Sequence, residues 1–399
     1  MKIVFVSNYI NHHQIPFCEA MCRQEGVSFL FVQTEPMEEE RIRLGWGLDP
    51  ASLPYVIVAY EDEARAKREM AEADVLLTGG EGPADIVEAR LKAGRPVIRV
   101  CERIYREGQW KRFSPRGLIR KYQDHIRYRK APCYLLCCGA YVASDFSLIG
   151  AYPDKMFRWG YFPPLRKYTE EELAALGSAD GGELRILWAG RFMPLKHPEF
   201  AVDLAERLKA SGVPFRLDMV GGGELDEALR TSVREKHLES LVTFHGFLSP
   251  DDVRGFMERA DIFLFTSNYL EGWGAVVSEA MNSGCAVVAG AQAGAVPYLI
   301  RGGVNGMIFR GEDEEDFLRR ALALASGGRE NIKSMGKAAY HTIADLWNAD
   351  TAAARLAAFC RSIAEGTGSR SVIEETDAFR LPEEGPMSRA EVIKPFYEP

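Results

Sequence analysis

The chain lacks several features that would point elsewhere. No stretch approaches the ~18 uninterrupted apolar residues a spanning helix needs, so no membrane span is expected. The opening Met1-Lys2-Ile3-Val4-Phe5-Val6-Ser7 has too short an apolar run for a signal peptide and no small-residue cleavage site, and it reads as a first buried strand. Zinc-type cysteine spacing is missing: the eight cysteines (18, 22, 101, 133, 137, 138, 285 and 360) lie mostly inside apolar runs, the pattern of buried, reduced thiols in a cytoplasmic protein. No Asp-x-Asp element ends a strand-like run, and no metal is expected. Basic residues are outnumbered, 49 Lys and Arg against 57 Asp and Glu for a net charge of −8, which argues against nucleic acid as a global partner.

What is present is a soluble composition, 47% hydrophobic and 27% charged over 399 residues, long enough for two domains of roughly 150 to 200 residues. Residues 3–6, 27–32, 55–59, 75–78, 97–100 and 134–137 read as strands, with helical stretches such as 15–24 and 84–93 between several of them. The second half repeats the theme with strands at 184–189, 215–220, 241–244, 261–265, 286–289 and 307–309. Continuous Val/Ile/Leu runs alternating with helices predict α/β architecture, with parallel sheets covered on both faces. The expected division is an N-terminal Rossmann-like domain over 1–165, a polar, glycine-bearing hinge over 166–183, a C-terminal Rossmann-like domain over 184–365, and a tail over 366–399 that is either an extended strap or disordered, composition favouring disorder.

In such sheets ligands gather beyond the C-terminal strand ends. In the first half those loops are 8–14, 79–83 and 101–106. In the second half the strand ends carry Gly190-Arg191 with Lys196, then Gly221-Gly222-Gly223, then His245-Gly246-Phe247. The fourth is the turn Glu271-Gly272-Trp273-Gly274-Ala275-Val276, which runs into a helix carrying Glu279. A glycine-punctuated turn into a helix offers free backbone N–H groups and the positive end of the helix dipole, a setting for phosphate.

Together, Gly190-Arg191 with Lys196, the glycine run, His245-Gly246-Phe247 and Glu271-x7-Glu279 resemble the retaining nucleotide-sugar glycosyltransferases of family 4 (glycosyltransferase group 1), over about residues 184–345. The resemblance implies a GT-B fold, two Rossmann-like domains with parallel sheets facing across a cleft. The second domain would hold a nucleoside-diphosphate sugar, a UDP or GDP sugar, and the first the acceptor. Arg191, Lys196 and the backbone at Gly272, Trp273, Gly274, Ala275 and Val276 would hold the diphosphate, the two cations through charge-assisted hydrogen bonds. Glu279 would accept the ribose hydroxyls, Glu271 would act on the sugar, and His245, Gly246 and Phe247 would flank the base. Residues 221–223 read equally as a tight turn, Trp273 also fits a core position, and His197 reads as a surface residue at a helix start.

The first domain departs from the family. Asn8-Tyr9-Ile10-Asn11-His12-His13-Gln14 fills the first-strand loop, where many relatives have a Gly-Gly pair. Cys101-Glu102-Arg103 stands where many have a histidine. Glu102 is a candidate base, its structural alternative a salt bridge to Arg103 or Arg106. His12 and His13 point opposite ways if the segment is extended, with His13 favoured for the cleft. Residues 103–130 hold ten Lys or Arg against Glu107 and Asp124, interleaved with Tyr105, Trp110, Phe113, Tyr122 and Tyr128. That composition reads as an anionic membrane surface binder, with a solvated charged face as the plain alternative. The function expected is transfer of a sugar to a glycan or lipid-linked acceptor in cell-surface polysaccharide or glycoconjugate synthesis, on the cytoplasmic side, with no cofactor beyond the co-substrate. A sugar-nucleotide 2-epimerase of the same architecture and a non-catalytic sugar-nucleotide-binding subunit are the alternatives.

Overall fold

The computed structural model describes residues 1–39, 42, 47–80, 82–178, 182–365 and 380–395. It divides into two compact units, one of Met1–Pro164 with Trp347–Lys394, the other Leu165–Leu346.

In the first unit, β1 (Lys2–Ser7), β2 (Ser28–Gln33), β3 (Val56–Val58), β4 (Val75–Gly79), β5 (Val97–Cys101), β6 (Cys133–Cys138) and β7 (Met156–Trp159) form one sheet in the order β3-β2-β1-β4-β5-β6-β7, with every pairing parallel. The interior strands are buried on both faces, as the uninterrupted apolar runs require: all six residues of β6 are buried. Their side chains join Phe146, Val142 and Tyr152 in the core. Six of these strands match expected ones. β7, at one edge, was not expected, because Met156-Phe157-Arg158-Trp159 is short and of mixed polarity.

In the second unit, β8 (Leu184–Ala189), β9 (Phe215–Val220), β10 (Val242–Gly246), β11 (Ile262–Phe265), β12 (Ala286–Gly290) and β13 (Met307–Phe309) are ordered β10-β9-β8-β11-β12-β13, again all parallel. All six fall where expected. In each unit the chain order reverses beside the first strand, between β1 and β4 and between β8 and β11, so crevices open there beyond the strand ends.

Two boundaries are corrected. The described residues of the expected hinge, 166–183, are bound into the second unit. Arg166 pairs with Glu258 at 2.6 Å, Ser178 N–H donates to Asp261 Oδ1 at 3.0 Å, and Thr169 and Glu172 form a reciprocal capping box on the helix Glu170–Ala175. Such a box satisfies helix-end donors that a loose linker would leave to water. The helix Ala349–Glu365, expected to close the second domain, belongs to the first unit: Phe359 packs against Phe157 and Tyr134 at 5.0 and 5.2 Å. Beyond it, Met387 N–H donates to the Arg158 carbonyl and Ala390 N–H to that of Met156, so the described tail is a strap along β7. Residues 366–379 and 396–399, also assigned to the tail, lie outside the described residues.

Candidate functional site

The β8 and β11 loops are stitched together. Trp188 Nε1 donates to Thr266 Oγ1 at 2.8 Å, and Thr266 Oγ1 donates to the Lys196 carbonyl at 2.6 Å. Asn268 N–H donates to the Leu195 carbonyl at 2.9 Å, while Asn268 Oδ1 accepts from Leu270 N–H at 3.0 Å. The carbonyls of Gly272 and Trp273 accept from Gly294 and Ala295 N–H at 3.1 and 3.0 Å. Trp273 itself is buried, its ring 6.3 Å from Tyr298, so it anchors the turn in the core.

Gly274 sits at the helix entrance with φ +91°, and a Cβ there would lie 2.6 Å from the Phe265 ring. Glycine is therefore required both by backbone conformation and by space. It delivers the chain into the helix Ala275–Asn282, whose first N–H groups have no carbonyl of their own helix to bond. Lys196 reaches this turn and forms an ion pair with Glu271, both side chains largely withdrawn from solvent. Arg191 is exposed on the same loop. Of the expected diphosphate set, Lys196 and the turn are thus brought together with Glu271, the lysine held by the glutamate rather than standing apart from it.

Burial pushes the Glu279 carboxyl up to about 7, against the opposing pull of Arg254. Arg254 is itself buried and donates to Asn282 Oδ1 at 2.7 Å. Asn282 in turn accepts from Arg166 N–H at 2.9 Å. This Arg254–Asn282 bond was not anticipated. Arg254 lies in the ordinary amphipathic helix Pro250–Arg259, and nothing in its spacing separates it from a solvated arginine.

Residues 221–223 resolve toward close packing. A Cβ on Gly221 would come within 1.8 Å of the Gly190 carbonyl oxygen, and one on Gly223 within 2.5 Å of that of Phe192. Phe192 N–H donates to the Gly222 carbonyl at 2.8 Å and Gly221 N–H to that of Gly246 at 2.8 Å, so three strand-end loops share one backbone network. His245 is paired with Asp218 at 2.7 Å. Gly246 has φ +70° with open space where a Cβ would stand, and Phe247 is 61% exposed. His197 precedes a helix, as read, but is half-buried and bonded to Glu199 at 2.7 Å.

In the first unit, the turn over residues 12–14 overturns the extended geometry considered for the two histidines: their rings lie side by side, 3.8 Å apart. Loss of hydration, reinforced by the neighbouring His12, lowers the His13 pKa to about 3, so His13 is neutral near pH 7. Its ring is 6.5 Å from that of Tyr161, and Tyr161 Oη donates to Glu102 Oε1 at 2.8 Å. Glu102 is also ion-paired with Arg106. Arg103, the other suggested partner, is instead buried against Asp145 at 2.8 Å. Tyr161 was missed because it follows β7, the strand that was not expected. Among the described residues no group of three or more His, Cys, Asp or Glu is arranged to hold a metal ion.

Residues 170–342 match the family described as glycosyl transferases group 1. The chain is 26% identical over 226 residues to a putative colanic acid biosynthesis glycosyltransferase, WcaL, of Salmonella typhimurium, covering 55% of this chain and 54% of that one. It is 31% identical over 238 residues to a D-inositol 3-phosphate glycosyltransferase of Nocardia farcinica, covering 56% and 52%. The matches thus span about half the length of these curated relatives. In structure it resembles Anabaena HepE in complex with UDP, with a TM-score of 0.67 at 16% identity, covering 91% of this chain and all of that one. At that identity the likeness establishes the fold, which is GT-B.

Proposed function

We propose that this chain, whose residues 170–342 are a group 1 glycosyl transferase segment, is a retaining glycosyltransferase that moves a sugar from a nucleoside diphosphate to a glycan or lipid-linked acceptor in cell-surface polysaccharide synthesis. The observation that carries it is the Gly274-capped helix start at the β8/β11 switch point with Lys196 held beside it. A diphosphate entering there offers Lys196 more negative charge than Glu271 does. Lys196 turns to the phosphate, and Glu271 is released toward the sugar hydroxyls and the positive charge that develops at the anomeric carbon. Arg191 and the first-turn N–H groups meet the rest of the leaving-group charge, so the reaction needs no divalent ion.

Glu279 takes the ribose hydroxyls as a carboxylate, and the base lies along Gly246 and Phe247. Retention follows from same-face attack, with the departing phosphate helping to take the acceptor proton. His13 and Glu102, linked through Tyr161, serve the acceptor in the first unit. In this reading the protein works on the cytoplasmic side, at an anionic membrane surface met by residues 103–130.

Incubation with labelled UDP and GDP sugars tests it. Acceptor-stimulated release of nucleoside diphosphate, unchanged by a chelator, is expected. Interconversion of the donor sugar would instead mark an epimerase, and binding without turnover a sensor.

A further inference from the structure

The segment 110–124 contains no buried residue, yet both its ends are fixed. At the start, buried Gln109 donates from Nε2 to Ser144 Oγ at 3.0 Å and to Asp145 Oδ1 at 2.9 Å. At the end, buried His125 shares Nδ1 with Tyr152 Oη at 2.7 Å and with the Arg99 guanidinium at 2.9 Å, and Arg99 also bonds the Asp124 carbonyl. A mobile loop needs no such anchors. Between them Ser114 caps the helix Pro115–Asp124, accepting from Gly117 N–H at 3.4 Å.

The segment carries Trp110 and Phe113, 69% and 71% exposed, with Leu118, Ile119 and Tyr122, five of the eleven large apolar side chains exposed among the described residues. Tyr105 and Tyr128, read from the sequence with this aromatic set, are instead buried. At about 100° per residue, Leu118, Tyr122 and Ile119 share one arc of roughly 100°, and Lys121 and Arg116 lie about 110° to either side of its centre. Apolar residues on one face with cations on both borders suit a helix lying in a lipid interface, where the stems can bury and the charges reach headgroup phosphates. Five of the ten cations in 103–130 are paired, those of Arg103, Arg106, Lys111, Arg120 and Arg127. Apart from Arg103 these are surface pairs, which contribute little and can yield to phosphate. A purely solvated face would place polar side chains where Trp110, Phe113 and Ile119 stand.

We propose that residues 110–124 are an in-plane membrane insertion element: Trp110, Phe113, Ile119 and Tyr122 enter the acyl boundary of an anionic bilayer, and Arg116 and Lys121 bind its phosphates. This rests on the reading that residues 103–130 meet an anionic membrane, and it is independent of the donor site. The test is co-sedimentation of the full chain with vesicles of phosphatidylcholine alone or mixed with phosphatidylglycerol, with tryptophan emission followed in parallel. Binding is expected only with the anionic lipid. Arg116→Gln and Lys121→Gln should each lower partition about fivefold, and Ile119→Ser about tenfold, with melting temperatures unchanged because nothing there is buried. A blue shift of emission should accompany binding and vanish in Trp110→Phe. No binding to anionic vesicles overturns both the membrane reading and the insertion. Charge-dependent binding indifferent to Ile119→Ser, with no shift from Trp110, leaves the membrane reading and overturns the insertion.

Discussion

The two units solve the same problem differently. In the second, the candidate site is made of backbone: loops after β8, β9, β10 and β11 are tied by main-chain hydrogen bonds, and Gly221, Gly223 and Gly274 stand where a Cβ would collide. In the first, it is made of side chains that meet from separate strand ends, His13 after β1, Glu102 after β5 and Tyr161 after β7. A site built from backbone constrains residue type at fixed spacing, whereas one built from converging side chains leaves no local pattern.

The largest effect is expected from removing a cation of the proposed donor site. Arg191→Ala and Lys196→Ala should each lower kcat/KM for donor by about 100- to 1000-fold, the scale of losing one charge-stabilising group in a preorganised site. Steady-state kinetics over donor concentration would check this. In the first unit, Glu102→Gln should lower kcat about 100-fold while leaving donor KM unchanged, as loss of an acceptor-side base does. A rise in donor KM without loss of kcat would move Glu102 out of that role.

Glu279 gives a smaller, two-signed effect. Its raised pKa favours the fold below the ordinary carboxyl value of 4.5, and that contribution is lost as pH rises toward about 7. Above pH 7 the wild type holds a poorly hydrated carboxylate. Glu279→Gln should therefore be more stable there, by about 1–3 kcal/mol, read from denaturation at pH 8. The same substitution should weaken donor binding about tenfold. Wild-type affinity should itself drop about tenfold between pH 8 and pH 6 as the carboxylate protonates, a dependence that calorimetry should find absent in the variant. Smallest is Phe247→Ala, expected to change stability by less than about 0.5 kcal/mol, as its exposure implies, and donor affinity by only a few-fold.

Legibility followed the same divide. Parallel strands buried on both faces leave continuous apolar runs, so twelve of the thirteen strands among the described residues could be placed, and β7 was lost with its four mixed residues. That loss hid Tyr161 and with it the link between His13 and Glu102. The helix Ala349–Glu365 was assigned to the second domain by its place in the chain, and only its packing shows that the first unit holds it. Arg254, whose charge acts on Glu279, and Asn282, which accepts its hydrogen bond, are ordinary in sequence and acquire meaning only from burial. The ion pair of Lys196 and Glu271 joins residues 75 apart, a distance over which no spacing rule operates.

In the proposed function the Gly274-capped helix start and Lys196 hold a nucleoside-diphosphate sugar. Thermal denaturation with UDP, GDP and ADP sugars tests it most directly, since a ligand that binds only the folded state raises apparent stability. At least one of them should raise the melting temperature of the wild type, and Lys196→Ala should abolish the rise; no shift with any, or a shift undiminished in Lys196→Ala, would overturn that binding.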